Sequence, residues 1–402
     1  MPEDPTERPT AMIVSQHGDG IGHLSRCSAI AAELHRFLDV TIFSGGRPVR
    51  GFRAPPGVGF VQLPPTTFSG VERTRPASLD GSDIESTDRA RAAILLRAYR
   101  RLRPAAILFE YYPVQPWRFG RTLDPLFDRL AREQAPPRCF CLLRPYPKTV
   151  DDTDPGELAV TRDRLARHFT AVFHHVDPRA FDESVLHPAT RTALEGARVI
   201  RTGQVRRRAP DAPAEPYDFV VCAGAGGAQG MRLLHAVADA LPPGQDGRAL
   251  LVCGPFVDPA EVAALRAAAG PKGIAVTHCL PALDGVFRSA RRVLCLGGAN
   301  TLVEALDAGA AVMAFPKPTA EQAVMVSRLA AKGLVLPGRL DMDARELASA
   351  MERLGRFRPA FRLDCDGAAR TAAHVRRSLG GPSARMARDP AAEDGAPIRI
   401  RT

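Results

Sequence analysis

The sequence is poor in lysine, which stands only at Lys148, Lys272, Lys317 and Lys332, and it has one tryptophan and five tyrosines. Arginine therefore carries nearly all of the formal charge of +10. The basic clusters, such as Arg206-Arg207-Arg208, are short and are not interleaved with aromatic residues. No nucleic-acid-binding module accompanies them, so nucleic acid is not an expected partner. A basic surface of this kind favours small anions or, as a less favoured option, membrane headgroups. No apolar run approaches the roughly 18 residues of a transmembrane helix. The opening stretch MPEDPTERPT has no apolar core that could serve as a signal peptide. The eight cysteines are scattered, and the close pair Cys139 and Cys141 does not have metal-site spacing. A reduced, cytoplasmic protein without a bound metal is the expectation.

What the sequence does have is alternation. At 402 residues, 45% hydrophobic and 24% charged, it is too long for one ordinary core. Strand-like apolar runs at 11–16, 39–43, 58–62, 105–109, 138–143, 171–174 and 197–201 are interleaved with amphipathic stretches at 22–36, 86–103, 119–133 and 156–167. After a charged, proline-rich segment the pattern restarts, with strands at 217–222, 248–253, 273–277, 292–296 and 311–315. Helices are expected there at 231–241, 259–268, 282–290, 300–309 and 320–332. Regular alternation of this sort predicts parallel sheets covered by helices. The expected organisation is an α/β chain with two Rossmann-like domains, 1–203 and 217–360, facing across a cleft and joined by a linker at 204–216. A C-terminal helix within 361–380 is expected to pack back towards the first domain, and 381–402 reads as a disordered tail. The polar loop 64–85 is long enough to suggest a functional role.

Two glycine-bearing strand-to-helix turns stand out. The first is SQHGDGIGHLSR, Ser15 to Arg26, with His17, Asp19, Gly20, Gly22 and His23. The second is LGGANTLVEAL, where Gly297 and Gly298 follow a strand and Asn300 and Thr301 read as capping residues. Free N–H groups and the positive end of the helix dipole suit such a turn to a diphosphate. Glu304, one turn further, is placed to accept both hydroxyls of a ribose, and Glu321 and Gln322 open the next helix where they could reach a sugar.

The ordered string GGANTLVEAL…G…P…EQ resembles the donor-binding signature of GT-B glycosyltransferases, especially the family 28, MurG-like type. GxGHLxR resembles the first loop of the same enzymes, and QHGDGIGHLSR is closer still to a group of bacterial predicted glycosyltransferases. The resemblance covers roughly residues 11–335. It implies a GT-B fold and an inverting transfer of sugar from a UDP-sugar to a hydroxyl or amine of a small-molecule acceptor, with no cofactor beyond that donor substrate. It implies that Gly298, Ala299 and Asn300 offer backbone contacts to the diphosphate, with Thr301 capping the helix. Glu304 would bind the ribose and Gln322 the sugar, while Glu321 stands where relatives often have Gln or Asp. AGAGGAQG, 223–230, resembles the glycine loop of the donor domain, so Gly224, Gly226, Gly227 and Gln229 would face the diphosphate. Leu280 matches the position whose backbone reads the base, which suggests uracil.

In that fold the N-terminal loop faces the cleft from the acceptor side. His23, at a helix start, is then a candidate general base kept neutral by the dipole. His17 and Asp19 are rival bases, and Asp19 could equally orient His23. Glu110, at the end of a strand, would support His23 or bind acceptor hydroxyls. Arg144 is a further cleft candidate, whereas Arg26 is expected to pair on the helix surface. His174 and His175 are expected to be structural. Residues 111–119, YYPVQPWRF, could form an apolar patch or line an acceptor pocket. The stretch DDTD at 151–154 lies outside the donor half, so no metal-binding Asp-x-Asp is expected. The alternatives on the same residues are a UDP-sugar epimerase, a transferase acting on a membrane lipid, and a non-catalytic nucleotide-sugar-binding protein.

Overall fold

The structure is a computed structural model that describes residues 8–17, 21–49, 51–69, 75–146, 155–207, 216–245, 248–280 and 283–380. The first half builds β1 (Thr10–Ser15), α1 (Gly22–Leu34), β2 (Asp39–Ser44), β3 (Gly59–Gln62), β4 (Thr66–Ser69), β5 (Arg75–Ser78), α2 (Ile84–Leu102), β6 (Ala106–Glu110) and α3 (Asp124–Leu130). It continues with β7 (Arg138–Leu143), α4 (Pro155–His168), β8 (Phe169–His174), α5 (Pro188–Ala193) and β9 (Val199–Arg201). The second half builds β10 (Tyr217–Cys222), α6 (Ala228–Ala240), β11 (Ala249–Val252), α7 (Pro259–Ala269), β12 (Ala275–Thr277), α8 (Asp284–Ser289), β13 (Ala290–Leu296) and α9 (Ala299–Asp307). It ends with β14 (Ala311–Phe315), α10 (Ala320–Ala331), β15 (Leu336–Pro337), α11 (Ala344–Arg356) and α12 (Gly367–Ser378).

Two parallel sheets result, ordered β3-β2-β1-β6-β7-β8-β9 and β12-β11-β10-β13-β14-β15. Their inner strands carry unbroken apolar runs because helices cover both faces; all five residues of β6 and of β14 are buried. The register aligns Ala11 with both Val40 and Ala106 in the first sheet, and Phe219 with both Ala249 and Arg292 in the second. One contiguous buried apolar cluster contains Cys141 and Val172 of the first sheet together with Val220 and Val293 of the second. The C-terminal α12 returns to pack on α1, with Ala368, Ala372 and Val375 among the residues that cover β1 and α1.

Several elements differ from the sequence expectation. The polar loop 64–85 contains an antiparallel hairpin, β4 with β5, pairing Thr66 with Ser78. The helix expected over 119–133 contracts to Asp124–Leu130, because Pro125 fits only its first turn and a separate 3-10 turn occupies Pro116–Phe119. Helix α11, which the apolar periodicity did not predict, has a complete capping box, Asp343 with Glu346. The described part of the linker is tied down rather than free. Val205 is buried and pairs with Asp366, and Arg206 bonds Asp284 at 3.1 Å and Asp307 at 2.6 Å. YYPVQPWRF forms no surface patch: Tyr111, Tyr112, Val114 and Phe119 are buried core residues. All eight cysteines are free thiols. No helix among the described residues is long and apolar enough to cross a membrane. The expected tail 381–402 and the stretch 151–154 lie outside the described residues.

Candidate active site

Each sheet has one point where the chain reverses its direction of travel. In the first sheet it runs outward from β1 to β3, then restarts at β6 on the other side of β1. In the second it restarts at β13 on the other side of β10. Loops leaving the carboxyl ends of the two strands at such a point diverge and leave a crevice. The residues singled out from the sequence fall at these two crevices. His17, Gly22 and His23 follow β1 and Glu110 ends β6; Gly224 to Gln229 follow β10 and Gly297 to Thr301 follow β13. Asp19 and Gly20 lie outside the described residues.

On the first side His23 begins α1 and its ring is almost wholly enclosed, packed 5.2 Å from the Tyr111 ring. Its Nδ1 lies 2.9 Å from Glu110 Oε1. Glu110 is buried and also accepts from Ser15 Oγ at 3.1 Å and from the Arg26 guanidinium. Burial alone would push the Glu110 carboxyl up, but His23 and Arg26 beside it hold it well below the usual carboxylate range. An ionised carboxylate only accepts, so Nδ1 of His23 must donate and Nε2 keeps its lone pair. Burial, which outweighs the attraction of Glu110, holds the imidazole pKa well below its ordinary value, so the ring is neutral at pH 7. The largest cause is desolvation, and it acts in the direction that the sequence expected from the helix dipole. Arg26 differs from expectation: it points inward and is buried on Glu110, since α1 is covered by α12 and has little free surface. His17 is fully buried with its Nε2 2.8 Å from the Arg47 carbonyl. His174 and His175 are buried, the latter bonded to Thr202 at 2.8 Å.

On the second side two helices start from glycine. Gly227 is the N-cap of α6 and Gly298 that of α9, and neither helix has a capping side chain. Their first N–H groups are thus left open at the crevice. Gly226 and Gly227 have φ of 106° and 90°, which a residue with a Cβ rarely adopts. Asn300 and Thr301 do not cap α9, contrary to the sequence reading. They sit inside its first turn, and Asn300 Nδ2 instead donates across the cleft to the Gly22 carbonyl at 2.7 Å. A Cβ on Gly22 would stand 3.2 Å from that amide, so glycine permits the approach. Glu304 is half-buried one turn into α9, and burial with the nearby Asp284 pushes its carboxyl up to about 8, against the pull of Arg206 and Arg207. Gln322 Oε1 accepts from the Lys317 N–H at 2.9 Å, which orients its amide. Glu321 is bonded across the cleft to Arg144 at 2.5 Å, a pair that the sequence did not connect. Leu280 is partly buried just after β12. Among the described residues no cluster of three or more His, Cys, Asp or Glu side chains could hold a metal ion.

Two parallel sheets, each with a ligand crevice at its reversal point and with the crevices opposed, define one architecture. The chain has the GT-B fold. Solved structures similar to it over nearly the whole chain share that fold. A UDP-glucosyltransferase from Polygonum tinctorium, solved with 3,4-dichloroaniline, is 15% identical with a TM-score of 0.56, covering 93% of this chain and 99% of its own. CalG4, the calicheamicin glycosyltransferase, is 17% identical with a TM-score of 0.53, covering 94% and 96%. Phytolacca americana UGT2, solved with UDP-2-fluoro-glucose and pterostilbene, is 14% identical with a TM-score of 0.52, covering 92% and 94%. No protein-family model matches the chain, and a search of curated protein sequences returned no match.

Proposed function

We propose that this GT-B chain is an inverting glycosyltransferase of the family 28 type that moves a sugar from a UDP-sugar to a hydroxyl or amine of a small acceptor. The observation that carries the reading is the His23–Glu110 pair at the first crevice, one residue from the point where the donor-side helix α9 touches the loop. His23 Nε2 takes the proton from the acceptor nucleophile as it attacks the anomeric carbon. Glu110 holds the ring in the tautomer that can do so, and its negative charge stabilises the imidazolium that forms. Because His17 is wholly buried and presents no surface to an acceptor, the geometry favours His23 over it. The leaving diphosphate is received by the open N-termini of α6 and α9. Glu304 accepts the ribose hydroxyls, the Leu280 backbone meets the base, and the Gln322 amide faces the sugar. The solved relatives that carry UDP-sugars or small acceptors support the same assignment. The test is a screen of nucleotide-sugars for binding, followed by mass spectrometry of acceptor extracts incubated with the best donor. Epimerisation of the donor without any acceptor, or tight binding with no turnover, would replace the transferase reading.

Two further outcomes are expected. Glu304→Ala weakens UDP binding by roughly 1–3 kcal/mol through the lost ribose bonds. In the wild type Glu304 is mostly protonated at pH 7, below its value of about 8, and it must ionise to accept both hydroxyls. UDP binding should therefore release protons, seen as a calorimetric heat that changes with the buffer's ionisation enthalpy. Unchanged affinity in the variant would remove Glu304 from the site. Second, turnover survives a chelator, because helix N-termini take the place of a metal; loss with EDTA that manganese or magnesium restores would refute this.

A further inference from the structure

Among the described residues, the guanidinium groups at the first crevice outnumber the carboxylates paired with them. Three guanidinium groups surround the Tyr111 ring: Arg118 at 4.8 Å from its centroid, Arg144 at 5.5 Å and Arg26 at 5.7 Å. Arg26 is paired with Glu110 and Arg144 with Glu321. Arg118 has no carboxylate partner among the described residues. Its Nε donates to Gln115 Oε1, and its two terminal nitrogens, which keep some contact with solvent, make no ion pair among the described residues. Yet its residue is only 6% exposed, layered against Trp117 at 4.8 Å and Phe68 of the β4–β5 hairpin at 5.3 Å. A guanidinium whose stem is buried and whose charged end opens on a crevice, without a carboxylate of its own, is placed to receive an anionic ligand. Burial pulls the Arg118 pKa down to about 10, which still leaves it charged at pH 7. The backbone that presents the cluster is itself strained: Tyr111 has a φ of 62°, held by its N–H bond to the Leu142 carbonyl and by the bond from the Gln115 N–H to its own carbonyl.

We infer that the acceptor bears a carboxylate, and that the terminal nitrogens of Arg118 receive it while His23 faces the acceptor's nucleophilic oxygen. Among the described residues around Tyr111, Glu110 pairs with Arg26 and Glu321 with Arg144, so Arg118 is the arginine of the three that is left to receive a monoanion. A planar guanidinium fork matches a carboxylate in both geometry and charge. Arg118 and His23 lean on the same Tyr111 ring, so one small hydroxy acid spans both. The aromatic walls, Trp117 and Phe68, suit an acceptor whose acid is carried on a flat or apolar body.

This inference rests on the transferase reading for its acceptor, but its test does not need turnover. The full chain, saturated with UDP, is titrated calorimetrically with para-hydroxybenzoate and with the neutral para-hydroxybenzamide. The acid should bind about tenfold tighter or more, and Arg118→Gln should abolish that preference. UDP affinity in Arg118→Gln should stay within about twofold of the wild type, because the nucleotide sits in the other half. Equal binding of acid and amide to the wild type overturns the inference. So does a parallel loss of UDP affinity in Arg118→Gln, which would assign the arginine to the donor diphosphate, and so does tighter binding of inorganic phosphate than of the carboxylate. If Arg118→Gln does not fold, the acid-against-amide comparison on the wild type decides alone. Failure of the wild type to bind UDP sinks the transferase reading separately.

Discussion

His23→Ala retains the fold and near-native UDP affinity but loses turnover by about a hundredfold to ten-thousandfold, the usual contribution of a general base. The proposed nucleotide site lies on the second sheet, so removing an imidazole from the first crevice should not disturb it. The pH profile carries the sharper information. The base must be neutral to work, and burial lowers its pKa from the ordinary value of 6.5. The wild-type rate should therefore stay level as the pH falls through 6.5 and decline only well below it. The acidic limb should vanish in the variant. Turnover preserved in His23→Ala but abolished in Asp19→Asn would transfer the role of base to the aspartate.

Glu110→Gln has the second large effect, and it acts on two quantities at once. The carboxylate accepts from Ser15, Arg26 and the His23 ring, with no exposed surface of its own. A neutral amide leaves Arg26 as a buried cation without a counter-ion, which costs about 3–5 kcal/mol of stability. It also releases the His23 tautomer, since an amide can donate to Nδ1 as readily as accept from it. The expected result is a lowered melting temperature, and, at temperatures where the variant is still folded, a kcat reduced on the order of the His23→Ala loss with little change in UDP affinity. That split separates a positioning role from a merely structural one, which would lower stability and leave the kcat of the folded fraction intact. A folded Glu110→Gln with wild-type kcat would exclude the pair from catalysis.

How much of this was legible in the residues differs between the two halves. On the proposed donor side the determinants are local. A strand, two glycines and an amphipathic helix specify an open helix N-terminus within a dozen consecutive positions, so α9 and the place of Glu304 on it could be read directly. The alternation of apolar runs, likewise a local property, carried the order of strands and helices and so the parallel α/β class. Element ends drifted by a few residues, and the short β4–β5 hairpin and α5 were not recognised because their apolar content is too slight to show a period.

The proposed acceptor side depends on contacts between distant residues, which only the folded chain reveals. Glu110 meets His23 and Arg26 from 87 and 84 positions away, Arg144 meets Glu321 from 177, and Asn300 meets Gly22 from 278. None of these pairings leaves a periodic or spacing signal in the sequence, because each is made by neighbouring strands or opposed sheets. The sequence by itself determined two glycine turns and a histidine at a helix start. The tertiary structure decided that burial is the main cause of the histidine's neutrality, and that its tautomer is set by a carboxylate from β6. It also decided that Asn300, suited by type to cap a helix, bridges the cleft instead, because the close approach of Gly22 offers its amide an acceptor there.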